Sequence, residues 1–141
     1  MSEFYRYFKE NMEALGLPAP ESLFGNLQTA LSSSYALLAG IDKFGRNVTI
    51  GELIGAGTRL EQLAVVSACL ASYYFGAVIG SIAVAAARCL GRETSISDVL
   101  ETASRYELDR PWLEATLRQW RAIYDARAMR RDLTRSRMMM A

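Results

Sequence analysis

The sequence predicts an all-α fold: a compact bundle of about six helices around one central apolar helix at residues 63–90, in a single domain over residues 1–141. Three observations predict it. Apolar residues recur at helical spacing in every periodic stretch, and no stretch alternates with period two over more than four residues. Cap and breaker residues punctuate those stretches at helix-length intervals. Residues 62–87 form a run of 26 without charge, in a chain whose ends are densely charged.

The elements follow in order. Ser2 caps a first helix in which Phe4, Phe8, Met12 and Leu15 share a face, and Gly16 with Pro18 ends it. Pro20 and Glu21 open a second helix reaching about Gly40, with Leu23, Leu27, Leu31, Tyr35 and Leu38 along one side. The segment "DKFGRN" then turns. Thr49 with Glu52 is a capping-box pattern for a short helix ending at "GAG", and Thr58 with Glu61 repeats it before the long apolar segment. Gly91 stops that segment. Ser95 with Asp98 starts a fifth helix to about Tyr106. Asp109 with Pro111 starts a sixth, striped by Leu113, Leu117, Trp120 and Tyr124 and continuing as a basic C-terminal helix over residues 110–137.

Composition narrows the function classes. The chain has 141 residues, 51% of them hydrophobic, enough for a real core. Sixteen basic residues against fifteen acidic leave a net charge of +1, which argues against bulk attraction to nucleic acid. Histidine is absent, and with it the commonest general base, metal ligand and nucleophile partner. Glu52, Glu61, Glu101 and Glu107 are available carboxylates, but nothing marks any pair for glycosidic chemistry, and no phosphate loop, metal-ligand spacing or nucleophile elbow occurs. No enzyme activity, catalytic residue, metal or cofactor is therefore expected. Cys69 and Cys89, read as lying on one helix ~30 Å apart, are expected to be free thiols. The N-terminal "MSEFYRYFKENMEALGLP" lacks the order of a secretory signal, so any export is expected to use another route.

The uncharged central run raises a choice between core and membrane. As a helix, residues 63–87 reach ~37 Å, against a hydrocarbon thickness of ~30 Å. Only nine of those 25 residues are Leu, Ile, Val or Phe and eight are Ala, so insertion is favoured by only a few kcal/mol, at roughly 0.3–0.6 for each strongly apolar residue. Its small residues are ordered: Ala64, Ala68, Ser72, Gly76 and Gly80 stand four apart, a ridge that permits close helix packing and protomer association. Gly51 and Gly55 add a shorter pair. A second uncharged run, residues 22–41, carries Gly25, Thr29 and Ser33 in one row and Ser32, Ala36 and Gly40 in another. Its Asn26, Thr29 and Ser33 are candidate pore-lining groups. The same features also suit a crowded soluble bundle with polar groups outward.

Eight arginines against three acids make residues 110–137 locally basic, suiting a solvated face, anionic lipid headgroups or nucleic acid, the last disfavoured because no aromatic residues interleave for base stacking. If the central helix spans, Arg88, Arg92 and Arg105 after it outweigh Arg59 before it and favour a cytoplasmic C-terminal side.

With "GELIGAG" and "FGAVIGSIAVAAA" at the centre of a small helical chain with charged ends, residues 22–91 resemble the glycine-zipper pore-forming effectors exported by the bacterial type VI secretion system. The resemblance implies an antibacterial toxin, cytoplasmic and soluble in its producer and carried by the ring of the secreted tube protein. It also implies insertion into the inner membrane of a target cell, self-association there, dissipation of ion gradients, and a cognate immunity protein. Two alternatives remain open: a holin-like membrane protein, and a soluble interaction, adaptor or immunity module. On the toxin reading, Gly76→Leu and Gly80→Leu abolish toxicity and leave the chain expressed.

Overall fold

The computed structural model describes residues 2–125, which form seven α-helices and two short 3₁₀ helices; the only strand-like pairing among them is an isolated antiparallel bridge between Thr49 and Leu70. Helix α1 (Glu3–Ala14) begins where the Ser2 hydroxyl accepts the Tyr5 N–H at 3.1 Å, satisfying one of the orphan donors of the first turn. It buries Tyr5, Phe8 and Met12.

The expected second helix is two. Helix α2 (Glu21–Phe24) stops at Gly25, and α3 (Leu27–Phe44) starts afresh because Asn26 is extended and its side chain accepts the Thr29 N–H at 2.8 Å. Helix α3 also runs past Gly40. A Cβ there would lie 2.5 Å from Leu53 Cδ2, so the missing side chain admits α4 rather than ending the helix. Helix α4 (Ile50–Gly55) carries the expected capping box of Thr49 and Glu52.

The central element differs from expectation over its first eight residues. Residues Glu61–Val66 form a 3₁₀ helix, a turn follows, and α5 spans only Ala71–Cys89. Thr58 does not cap; its hydroxyl donates to the Leu53 carbonyl. The cause is non-local. The Ile50 N–H donates to the Cys69 carbonyl at 2.9 Å, Gly51 to Ser67 at 3.0 Å, and the Ala71 N–H to Val48 at 2.9 Å. These bonds tie residues 67–71 to the start of α4 instead of to a helical turn. Cys69 and Cys89 thus do not share a helix, and both are free thiols.

Helix α5 is the axis of the bundle, with fourteen of its nineteen residues buried. Helix α1 lies along it, and α3, α6 (Ile96–Arg105) and α7 (Pro111–Gln119) complete the sheath. Phe75, Ile79 and Ile82 are shut from water, each worth roughly 1.5–3 kcal/mol of burial. Ser95 and Asp98 form the capping box of α6. The Ser95 N–H at 2.9 Å, more than Arg92 at 3.2 Å, holds the Asp98 carboxyl below the usual carboxylate range.

The C-terminal stripe is interrupted. Helix α7 buries Leu113 and Leu117, but the chain leaves helical geometry at Trp120, and a 3₁₀ turn (Arg121–Ile123) brings Ile123 inward in place of Trp120. Trp120 stays exposed, its ring edge-on to Tyr73 at 5.4 Å. Of the expected basic helix over residues 110–137, the helical part described ends at Gln119; Arg127, Arg130, Arg131, Arg135 and Arg137 lie outside the described residues.

Candidate functional site

The small-residue row divides in two. Ala64 lies in the 3₁₀ helix and Ala68 in the turn after it, both exposed, so neither belongs to the face that carries Ser72, Gly76 and Gly80 on α5. Ser72 is half-buried, and both glycines are buried. Their neighbours belong to the C-terminal part of the same chain. A Cβ on Gly76 would stand 3.3 Å from Thr116 Cγ2 of α7, and one on Gly80 would overlap Ile123 Cγ2.

Polar groups fix this contact. Asn11 of α1 donates through Nδ2 to the Ser81 hydroxyl and to the Ile123 carbonyl, both at 2.9 Å. One amide thereby joins α1, the middle of α5 and the C-terminal turn. Ser81 is fully buried, so its hydroxyl depends on this partner. Farther along α5, Arg88 pairs with Glu10 at 2.7 Å and lies over the Tyr7 ring at 4.2 Å. At the other end of α7, Arg110 grips Asp42 of α3 with two bonds, at 2.7 and 3.1 Å.

The remaining candidates have local roles in this fold. The Gly51 Cβ position is 3.0 Å from Ser67 Cβ, which explains why a small residue sits where the turn pairs with α4; Gly55 is exposed with nothing near. Asn26 caps α3. Ser33 is buried and donates to the Leu23 carbonyl at 2.7 Å, while Thr29 is half-buried between them. The three share one side of the start of α3, turned toward α2, and form no open polar row in the folded chain. Among the carboxylates, Glu52 belongs to its capping box and Glu101 pairs with Arg105 at 3.1 Å, while Glu61 and Glu107 are exposed. Burial raises the Cys69 thiol above its ordinary value, which suppresses the thiolate.

A cleft of about 280 Å³ opens beside the end of α5, lined by Val84, Arg88, Arg92, Tyr124 and Asp125 among others. Its arginines face carboxylates, Arg88 toward Glu10 and Arg92 toward Asp98. Among the described residues no three acidic or cysteine side chains group to hold a metal ion, and α5 is the one helix long and apolar enough to cross a membrane.

Ile123, Thr116, Asn11 and Ser81 were not legible as functional candidates. The contact needs a chain reversal at Trp120, and "LRQWRAIYD" holds no glycine or proline to announce one. No protein-family model, curated protein or solved structure matches the chain.

Proposed function

We propose that this chain is a membrane-permeabilising antibacterial toxin of the type VI secretion type, delivered in folded form and inserted through α5 into the inner membrane of a target cell, where it dissipates ion gradients. The observation that carries this reading is the placement of α5. A helix of nineteen residues, uncharged until Arg88, is held at the centre of a bundle by shorter elements that present their charges outward. It reaches ~28 Å, close to the ~30 Å hydrocarbon thickness.

The energetics favour a conditional span. Helix α5 contains five residues of the Leu, Ile, Val and Phe class, worth roughly 1.5–3 kcal/mol in sum near a bilayer centre. That is less than the ~5–15 kcal/mol by which a domain resists unfolding, so entry requires a further term such as protomer packing or the membrane potential. In the inserted state Ser72, Gly76 and Gly80 supply the packing face, and Asn26, Thr29 and Ser33 line the water path after leaving their local bonds. The tube-ring carrier and an immunity protein are the partners of this reading; the chain acts without a cofactor and without nucleic acid.

A soluble interaction module is the second reading. It is favoured by one observation: 72% of the apolar window of α5 is already buried within the chain, as in the core helix of an ordinary soluble bundle. Membrane potential in bacteria separates the two. Dye depolarisation when the chain is sent to the periplasm by a fused signal peptide, and none when it stays cytoplasmic, is the expected result. Unchanged potential in both, with the protein present, favours the soluble module, and membrane-pelleted protein in the producing cell would point to a holin-like insertion.

A further inference from the structure

We propose that residues 116–123 are an autoinhibitory clasp, occupying the Gly76 and Gly80 face of α5 in the folded chain so that a second copy can pack there only after they leave. What release leads to rests on the pore-forming reading; the clasp itself rests on geometry. Packing through paired small residues requires a partner backbone to approach where no side chain intervenes. On this face the space is taken. Ile123 Cγ2 fills the position that a Cβ on Gly80 would need, the Ile123 carbonyl oxygen lies 3.3 Å from the same point, and Thr116 Cγ2 covers Gly76. Intrachain cover and intermolecular packing therefore exclude each other.

The cover is built to come away as a unit. It consists of the end of the nine-residue α7 and a three-residue turn, with Trp120 between them 43% exposed. Its polar tie to the rest of this face is the single Asn11 amide, bonded to the Ile123 carbonyl and to Ser81. The Arg110 and Asp42 pair anchors the opposite end of α7, so release of Ile123 does not require the whole helix to leave. Short elements with few buried contacts open at lower free energy than the core they cover.

The test uses the full chain as wild type, Ile123→Ala, Gly80→Ala/Ile123→Ala and Asn11→Ala. Self-association is read by sedimentation equilibrium in dodecyl maltoside, and release of trapped carboxyfluorescein is read from vesicles of phosphatidylethanolamine and phosphatidylglycerol. Ile123→Ala is expected to self-associate about tenfold more tightly than wild type, the size of an ordinary coupling between competing contacts, and to release dye faster. In the double variant the methyl added at position 80 takes the space vacated by Cγ2, so the chain folds but the gain in association is lost. If circular dichroism shows Ile123→Ala to be unfolded, Asn11→Ala, which cuts only the polar tie, is read in its place and should shift association the same way by a smaller factor. Tighter association without dye release from any form supports the clasp and overturns the pore reading. Association no tighter than wild type in the folded uncovering variant overturns the clasp, whatever the vesicles do.

Discussion

Ala64 and Ala68 stand in the same four-residue register as Gly76 and Gly80, yet the two pairs meet opposite environments. The glycines lie on an α-helix and are covered by Thr116 and Ile123, whereas the alanines lie in a 3₁₀ helix and a turn and face solvent. Spacing alone does not distinguish them. What does is whether one helix runs through all the positions, and here the backbone bonds from Val48, Ile50 and Gly51 take residues 67–71 out of helical geometry. Four-residue spacing defines a face only where the 3.6-residue period holds.

The difference is most vulnerable at Gly80. Gly80→Leu should lower stability by about 3 kcal/mol, because the added atoms overlap a branched methyl of a fully buried isoleucine. Urea denaturation reads it directly, and a loss below about 1 kcal/mol would mean that Ile123 yields without cost. This changes the meaning of the toxicity experiment suggested by the sequence: lost activity in Gly80→Leu would reflect the folded state as well as protomer packing. Gly76→Ala grades the effect along the same face, since its methyl meets only Thr116 Cγ2 at 3.3 Å while the helix gains about 1 kcal/mol of propensity. The two effects should nearly cancel, leaving the stability within about 0.5 kcal/mol of wild type by the same denaturation.

A smaller effect is expected from acid. Hydrogen bonding from Arg110 is the main reason the Asp42 carboxyl is held below its usual range, so the pair stabilises the docking of α7 above the unfolded carboxylate value near ~3.9. That contribution is lost as pH falls through the depressed folded value. Both side chains are substantially exposed, which limits it to a few tenths of a kcal/mol. Denaturation at successive pH values below ~4 should show a shallower loss in Asp42→Asn than in wild type; equal losses would remove Asp42 as a source. The smallest change belongs to Ala68→Leu, at most about 0.5 kcal/mol by urea denaturation, because the site is open to water.

The parts legible in the sequence were those decided within a few residues. The Ser2 cap and the Thr49 and Ser95 capping boxes each rest on a side chain bonding a backbone two or three positions away, and each formed. The Gly25 and Asn26 break carries a local signal too, since asparagine is a strong N-cap and follows a glycine, but the unbroken lack of charge over residues 22–41 masked it. Distance in sequence hid the rest. The end of the central helix at Ala71 depends on residues 48–51, and the cover on Gly80 comes from a residue 43 positions later. Apolar periodicity marked α5 as central but carried no information on which segment would close over it.

Protease protection in vesicles decides whether α5 both fills the core and crosses a membrane. The full chain is mixed with phosphatidylethanolamine and phosphatidylglycerol vesicles, digested with proteinase K, and the surviving peptide identified by mass spectrometry. A protected fragment containing residues 71–87, lost when detergent dissolves the vesicles, is the predicted result. A chain left intact in the supernatant, or a protected fragment lacking that helix, would contradict it and leave α5 as a core helix alone.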